Sequence, residues 1–443
     1  MRFWIGARGA DMRSEGRGIT AVTAGEADSP LAGGAFADLG VAVEAPSPTW
    51  LAPHPQHEVV YAALEGAGQI AAYRRTGDAT LDLLGAPVEV GDGVCHIAVA
   101  PDGSRLVASC YGDGRVVHVP LRGDGSLGEP SHGRAADDPY APGGMSPDWA
   151  STGVDFGAAS AAERTAVEAA RTEVGAGAEE TPSGFLIPGA EDMKGLLAEA
   201  PHEPSAAERL AQQRAQDEAD ALSGISGSEV PASDADRTGT ADAETAARPS
   251  RAHSATFLPD GRVATTDLGY DLVRIWRVTP SGLVPDHEIV LPFGVGPRHM
   301  VMHPSGHLHV ITEFSCEVWT FAEGPDARWR VVASVPTGAF DGDTGAELTP
   351  GHGKMFLYAG LRGSDTIQVL RVGGEGERLE PVALVDSGIT VPRHHVVVRD
   401  TLLVAGQNSE EIASLSLDER TGVPGRVRHR LETPRPQHIL PVR

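Results

Sequence analysis

Short apolar runs separated by tight polar turns recur along the chain with a fixed phrase. HIAVAPDGSRLVAS begins at His96, AHSATFLPDGRVATT at Ala252 and RHMVMHPSGHLHVIT at Arg298. Looser copies are TWLAPHPQHEVVYAA at Thr49 and ELTPGHGKMFLYAG at Glu347. Each reads as a strand, a proline-containing turn and a second strand, because runs of four to eight apolar residues bounded by Pro and Gly favour strands over helices. The turn prolines are Pro55, Pro101, Pro259, Pro304 and Pro350, at intervals of 46, 158, 45 and 46 residues. A hairpin repeat near 46 residues predicts the blades of a β-propeller. The long interval exceeds one repeat by about 112 residues and marks an insertion.

The blade count follows from the same period. A sixth copy, RHHVVVRDTLLVAGQ, starts at Arg393 without its Pro-Gly turn, and PQHILPV at Pro436 supplies only a first strand. Seven units are therefore expected. The missing strands of the seventh are assigned to the N-terminus, where FWIGAR and GITAVTA are short and β-like. A ring closed by both ends has no open sheet edge. The expected fold is all-β, a seven-bladed propeller formed by residues 1–133 and 250–443, with an insertion at 134–249.

Composition sharpens the reading of the insertion. The formal net charge is −25, and residues 151–250 hold 19 of the 61 acidic side chains but only two aromatics, Phe156 and Phe185. Such a segment buries too little to fold alone as a β domain. Two stretches beginning at Ser160 and Ser205 have the serine-to-glutamate spacing of a capping box, with Glu163 and Glu208, and are expected to be at most partly helical. The acidic balance argues against nucleic-acid binding, which needs basic patches. No apolar run approaches a membrane span. The three cysteines, Cys95, Cys110 and Cys316, form no CxxC pair, and the N-terminus lacks a signal-peptide core, so a cytoplasmic protein with reduced thiols is expected.

The segments that begin the blades resemble the seven-bladed propeller lactonases, the family of bacterial 6-phosphogluconolactonase and the fungal carboxy-muconate lactonizing enzymes. The resemblance covers nearly all of the chain outside the insertion. It rests on His253 with Asp267-Leu268-Gly269, on Gly296-Pro297-Arg298-His299 followed by Glu313, and on Pro392-Arg393-His394. One departure is Ser250-Arg251-Ala252-His253, where the family usually has an additional His before the strand. The resemblance implies four active-site residues: His253, Arg298, Glu313 and Arg393.

Their chemistry suits ring-opening of a lactone. Arginine is always charged and donates in a planar fork, so Arg298 and Arg393 are expected to bind an anionic lactone and polarise its carbonyl. Glu313 or His253 would move the proton, and the sequence does not rank them. The expected activity is hydrolysis of a sugar lactone such as 6-phosphogluconolactone. The alternatives are a muconate-type lactonizing cycloisomerase and a non-catalytic binding scaffold. His96, His299 and His394 recur at matching blade positions, which suits packing. No cofactor is expected. The His299, His303, His307 and His309 cluster lacks a completing carboxylate for a metal site. Gly66-Ala-Gly68 precedes a strand and so fails as a dinucleotide loop, and no Gly-Xaa-Ser-Xaa-Gly elbow is present.

Overall fold

The computed structural model describes residues 1–141 and 248–442. They form seven antiparallel sheets arranged as a closed ring, the expected seven-bladed propeller. Each blade has four strands, and blade 1 carries an additional short strand, Val88–Glu89. The inner strands, in ring order, are Pro48–Pro53, Val94–Val99, Ala252–Phe257, Pro297–Met302, Gly345–Pro350, Pro392–Val398 and Pro436–Pro441. The two expected helices fall outside the described residues.

The second strand of each blade is an almost continuous buried run, such as Val59–Leu64, Phe356–Leu361 and Thr401–Gly406. Both of its faces meet neighbouring blades, so polar alternation is lost there. The outermost strands keep it, as in Pro424–Glu432. The core accordingly lies between blades. Leu258, Val273 and Ile275 of blade 3 pack on Val310, Trp319 and Phe321 of blade 4, and similar clusters join the other pairs.

The repeated His-Pro turns act between blades. His54 Nδ1 accepts the backbone N–H groups of Gln56 and His57, both at 3.0 Å. That leaves Nε2 protonated, and it donates to the Gly103 carbonyl in the next blade's turn at 3.2 Å. His303 repeats the arrangement, with Nε2 donating to Lys354 O at 2.7 Å.

Ring closure is made by strands from the two ends of the chain. Arg2–Ala7 pairs antiparallel with Pro436–Pro441, opposing Trp4 to Leu440, Ile5 to Ile439 and Gly6 to His438. Phe3 and Ile5 then pack against Leu403 and Ala405 of blade 6, while Trp4 and Leu440 meet Leu51 and Val60 of blade 1. Fully burying a leucine, isoleucine, valine or phenylalanine among them contributes about 1.5–3 kcal/mol. Gly6 permits the approach: a Cβ there would lie 2.2 Å from the Pro48 carbonyl oxygen of blade 1.

The chain leaves and re-enters the ring between blades 2 and 3. Tyr140 donates its hydroxyl to Leu291 O at 2.5 Å. Arg248 donates to Asp271 at 2.8 Å and lies over the Phe293 ring at 4.5 Å and the Tyr140 ring at 5.6 Å. The two sides of the insertion therefore meet on the ring itself.

Two outcomes test this architecture. Deleting residues 1–25 removes two strands of blade 7 and opens the ring, so it should abolish the cooperative melt of the intact protein; an unchanged melting temperature would contradict the closure. Replacing 142–247 by a short Gly/Ser linker, with Tyr140 and Arg248 retained, should leave circular dichroism and melting close to those of the full chain. Loss of soluble folded protein would show that the ring requires the segment.

Candidate active site

Each inner strand opens with an irregularity in its pairing. In blade 2 Val94 pairs with Cys110 and His96 with Ser109, leaving Cys95 as an extra residue. Pro48/Trp50, Pro297/Met300, Pro392/His394 and the remaining blades show the same shift. A bulge re-aims the side chain it carries, which is why bulges gather next to sites. Here it turns one side chain from each of six blades into the mouth of the channel.

A cavity of about 300 Å³, its open mouth included, lies there. Its wall comprises Thr49, Cys95, His253, Arg298, Arg393 and Gln437 at the bulge position, with Trp50 and His299 one residue further along and Glu65 from a loop. Three of the four expected residues thus face one space, although blades 3, 4 and 6 supply them.

Arg298 is only 2 % exposed. Its Nε donates to Glu313 Oε2 at 2.9 Å, and its backbone carbonyl accepts the hydroxyls of Ser254 and Thr266 at 2.5 and 2.7 Å. Its Nη1 is buried without a hydrogen-bond partner. Burial, then Arg362 and Arg393, push the Arg298 pKa down to about 10, so the side chain stays charged at neutral pH.

Glu313, the fourth expected residue, stands behind Arg298 and outside the cavity wall. Its other oxygen, Oε1, lies 2.9 Å from Arg362 Nη2. Burial raises its pKa, but Arg362 and Arg298 outweigh burial and hold it below the usual carboxylate value. With both oxygens engaged by guanidinium groups, Glu313 is placed to orient Arg298.

His253 is 5 % exposed, and its Nδ1 has no hydrogen-bond partner. Burial, then Arg298, His299 and Arg393, hold its pKa well below the normal value, so the imidazole is neutral. Tyr111 packs edge-on against it at 6.0 Å. Burial pushes the neighbouring Cys95 thiol up to about 12. Cys95 is therefore a thiol at neutral pH and unsuited to nucleophilic attack.

The floor is Trp50, ringed by His438 at 4.1 Å, His96 at 4.3 Å, His299 at 5.2 Å and His394 at 5.5 Å between ring centroids. Trp50 Nε1 donates to Ile97 O at 3.1 Å. The recurrent histidines thus line the channel below the mouth. Buried Glu347 lies beside them, 3.0 Å from His299 Nδ1. The His303 and His309 side chains instead serve the turn and Thr320. Among the described residues no group of three His, Cys, Asp or Glu is arranged to hold a metal.

Sequence reasoning missed Trp50, Arg362 and Glu65. Arg362 and Glu65 share one blade position with Glu313: the residue after the second strand, whose N–H bonds back to the loop before its blade's inner strand. The bonds are Glu65 N to Ser47 O, Glu313 N to Gly296 O and Arg362 N to Thr344 O, and Arg8, Tyr111, Leu268 and Gln407 complete the set. Aligning the blades on this position, and not on the inner strand alone, would have found both.

A closed ring whose inner strands bring two arginines to one small cavity defines a β-propeller with a candidate site at the mouth of its channel. The sequence profile of the family "Lactonase, 7-bladed beta-propeller" matches residues 4–140 and 224–441. The chain belongs to that family. Among curated relatives, an uncharacterized protein of Lactococcus lactis is 28% identical over 181 residues, and one of Staphylococcus aureus is 32% identical over 180. Each alignment covers 39% of this chain, and the chain spans about half the length of the curated relatives it matches, 53% and 52%. Solved structures with the same fold include a protein from Lactobacillus plantarum, with TM-score 0.66, 17% identity, and coverage of 99% of this chain and 98% of that one. A candidate 6-phosphogluconolactonase from Bacteroides fragilis gives 0.66, 16%, 99% and 96%. The periplasmic gluconolactonase of Pseudomonas aeruginosa gives 0.64, 17%, 99% and 98%. Among the described residues no helix is long and apolar enough to cross a membrane.

The channel histidines give the fold a pH dependence. Burial is the first cause that holds His96, His253, His299, His394 and His438 well below their normal pKa. The unfolded chain binds protons at these sites as pH falls through about 6.5 while the folded chain does not. Stability is therefore full above about 6.5 and declines below it, ideally by about 1.4 kcal/mol per histidine per pH unit. Glu347, raised by burial, opposes this trend, but it is one group against five. The melting temperature should drop by more than about 5 °C between pH 7 and pH 5. A flat profile across that range would contradict the buried neutral histidines.

Proposed function

We propose that this chain hydrolyses the ester bond of a sugar lactone carrying an anionic group, with 6-phosphogluconolactone the first candidate. The observation that carries the reading is the buried, unpartnered Nη1 of Arg298 in the wall of the cavity that Arg393 and His253 also line. A charged N–H donor fixed in a dry pocket stabilises a developing oxyanion far better than one in water. Arg298 would donate to the lactone carbonyl oxygen as water adds to the carbonyl carbon. Arg393 would hold the phosphate or carboxylate of the substrate. Glu313 would act through Arg298, by fixing the plane of its guanidinium. The neutral imidazole of His253 would hydrogen-bond to the substrate. Membership of the lactonase family and the fold shared with a gluconolactonase support the same reading.

Purified protein should open sugar lactones in a proton-release assay. R298A should lower kcat/KM by about 100-fold or more, the usual cost of an oxyanion donor. R298K should restore little of that loss, because lysine lacks the fork that Glu313 engages. R393A should raise KM for a phosphorylated lactone more than for its neutral counterpart. Normal turnover by both alanine variants would remove Arg298 and Arg393 from the reaction.

A further inference from the structure

We infer that Glu65 is the group that takes the proton from the attacking water; this rests on the lactonase reading and extends it to a residue outside the expected quartet. Glu65 follows the second strand of blade 1, Val59–Leu64, and opens a single 3-10 turn, Glu65–Ala67. Its backbone position is the blade equivalent of Glu313. The two carboxylates have opposite surroundings. Glu313 spends both oxygens on Arg298 and Arg362 and does not line the cavity. Glu65 lines it, its side chain is 13% exposed, and its Oε2 is buried without a hydrogen-bond partner. Its nearest cation is Arg8, with Nη2 at 3.9 Å from Oε1, beyond hydrogen-bonding distance. A buried carboxylate oxygen left without a donor is costly, and such exceptions gather where a ligand or water completes the bonding.

The placement fits the reaction. The Cys95 side chain senses Glu65 together with Arg298 and Arg393, so the carboxylate shares one small space with both guanidinium groups. His253 is the other cavity-lining base, but burial first, and then Arg298, His299 and Arg393, disfavour an imidazolium there. In the step assigned to Glu65, an O–H bond of water breaks and its proton passes to the Glu65 carboxylate. The water oxygen bonds to the lactone carbonyl carbon, and the carbonyl electron pair moves to the oxygen facing Arg298. Collapse of that intermediate breaks the ring C–O bond. The proton on Glu65 passes to the departing alkoxide, which restores the carboxylate and yields the open hydroxy acid.

The experiment compares wild type, E65Q, E65A and E313Q on plain and phosphorylated sugar lactones, with melting curves recorded for each protein. E65Q should lower kcat by about 100-fold or more while KM changes little, as for loss of a general base. The acidic limb of the kcat–pH profile should disappear. Added formate should restore part of the E65A rate, a result that a purely structural glutamate would not give. E313Q should lose rate through Arg298 and keep that acidic limb. E65Q turning over a lactone within threefold of wild type overturns the assignment and leaves the lactonase reading standing. An E65A variant that is folded but not rescued by formate also overturns it. A wild-type protein inert to every lactone overturns both.

Discussion

The antiparallel ladder between Arg2–Ala7 and Pro436–Pro441 joins the two ends of the chain, and the position of the site depends on it. The residues of the cavity wall lie far apart in sequence, from Thr49 to Gln437. Only a closed ring brings their strands to a common axis. Closure also seals the two edges that a linear array of blades would expose. The terminal strand contributes to the site as well, because Gln437 and His438 lie on it, in the cavity wall and against Trp50.

Within that frame the decisive quantity is charge held out of water. Arg298, Arg362 and Glu313 form a buried triad with two cations to one anion, and Arg393 faces the adjoining cavity. Assembling such a group costs desolvation energy that mutual attraction only partly offsets. A fold under no functional demand would reach greater stability with apolar residues of similar volume at these positions. The unpartnered Nη1 of Arg298 instead suits a ligand that brings negative charge. Trp50 lines the same cavity with four histidines packed around it, so a ligand in the mouth would meet an aromatic surface.

Much of this was legible in the sequence because blades repeat. The proline-turn interval near 46 residues, the insertion and the terminal closure follow from periodicity and from the cost of an open edge. His253, Arg298 and Arg393 could be named because the segments that carry them resemble those of the propeller lactonases, and ring geometry points the two arginines to one mouth. Glu313 was legible as a neighbour of Arg298 but not as an oriented carboxylate, since only coordinates reveal that Arg362 occupies its second oxygen. Glu65 was hidden for a different reason. It sits in a loop among Gly66, Ala67 and Gly68, where local composition reads as a turn, and its chemistry comes from blades 2, 4 and 6 across the channel. Trp50 read as one more apolar residue at a strand start; its role as a floor depends on four histidines from four other blades.

The most direct measurement is a crystal structure of the protein with an unreactive lactam analogue of a phosphorylated sugar lactone. The lactam carbonyl oxygen should lie about 2.7–3.1 Å from Arg298 Nη1, within reach of an oxyanion donor. Its phosphate should contact Arg393, and Glu65 should face the carbonyl carbon across one water. An analogue bound away from this mouth, or bound with its carbonyl turned from Arg298, would contradict the account.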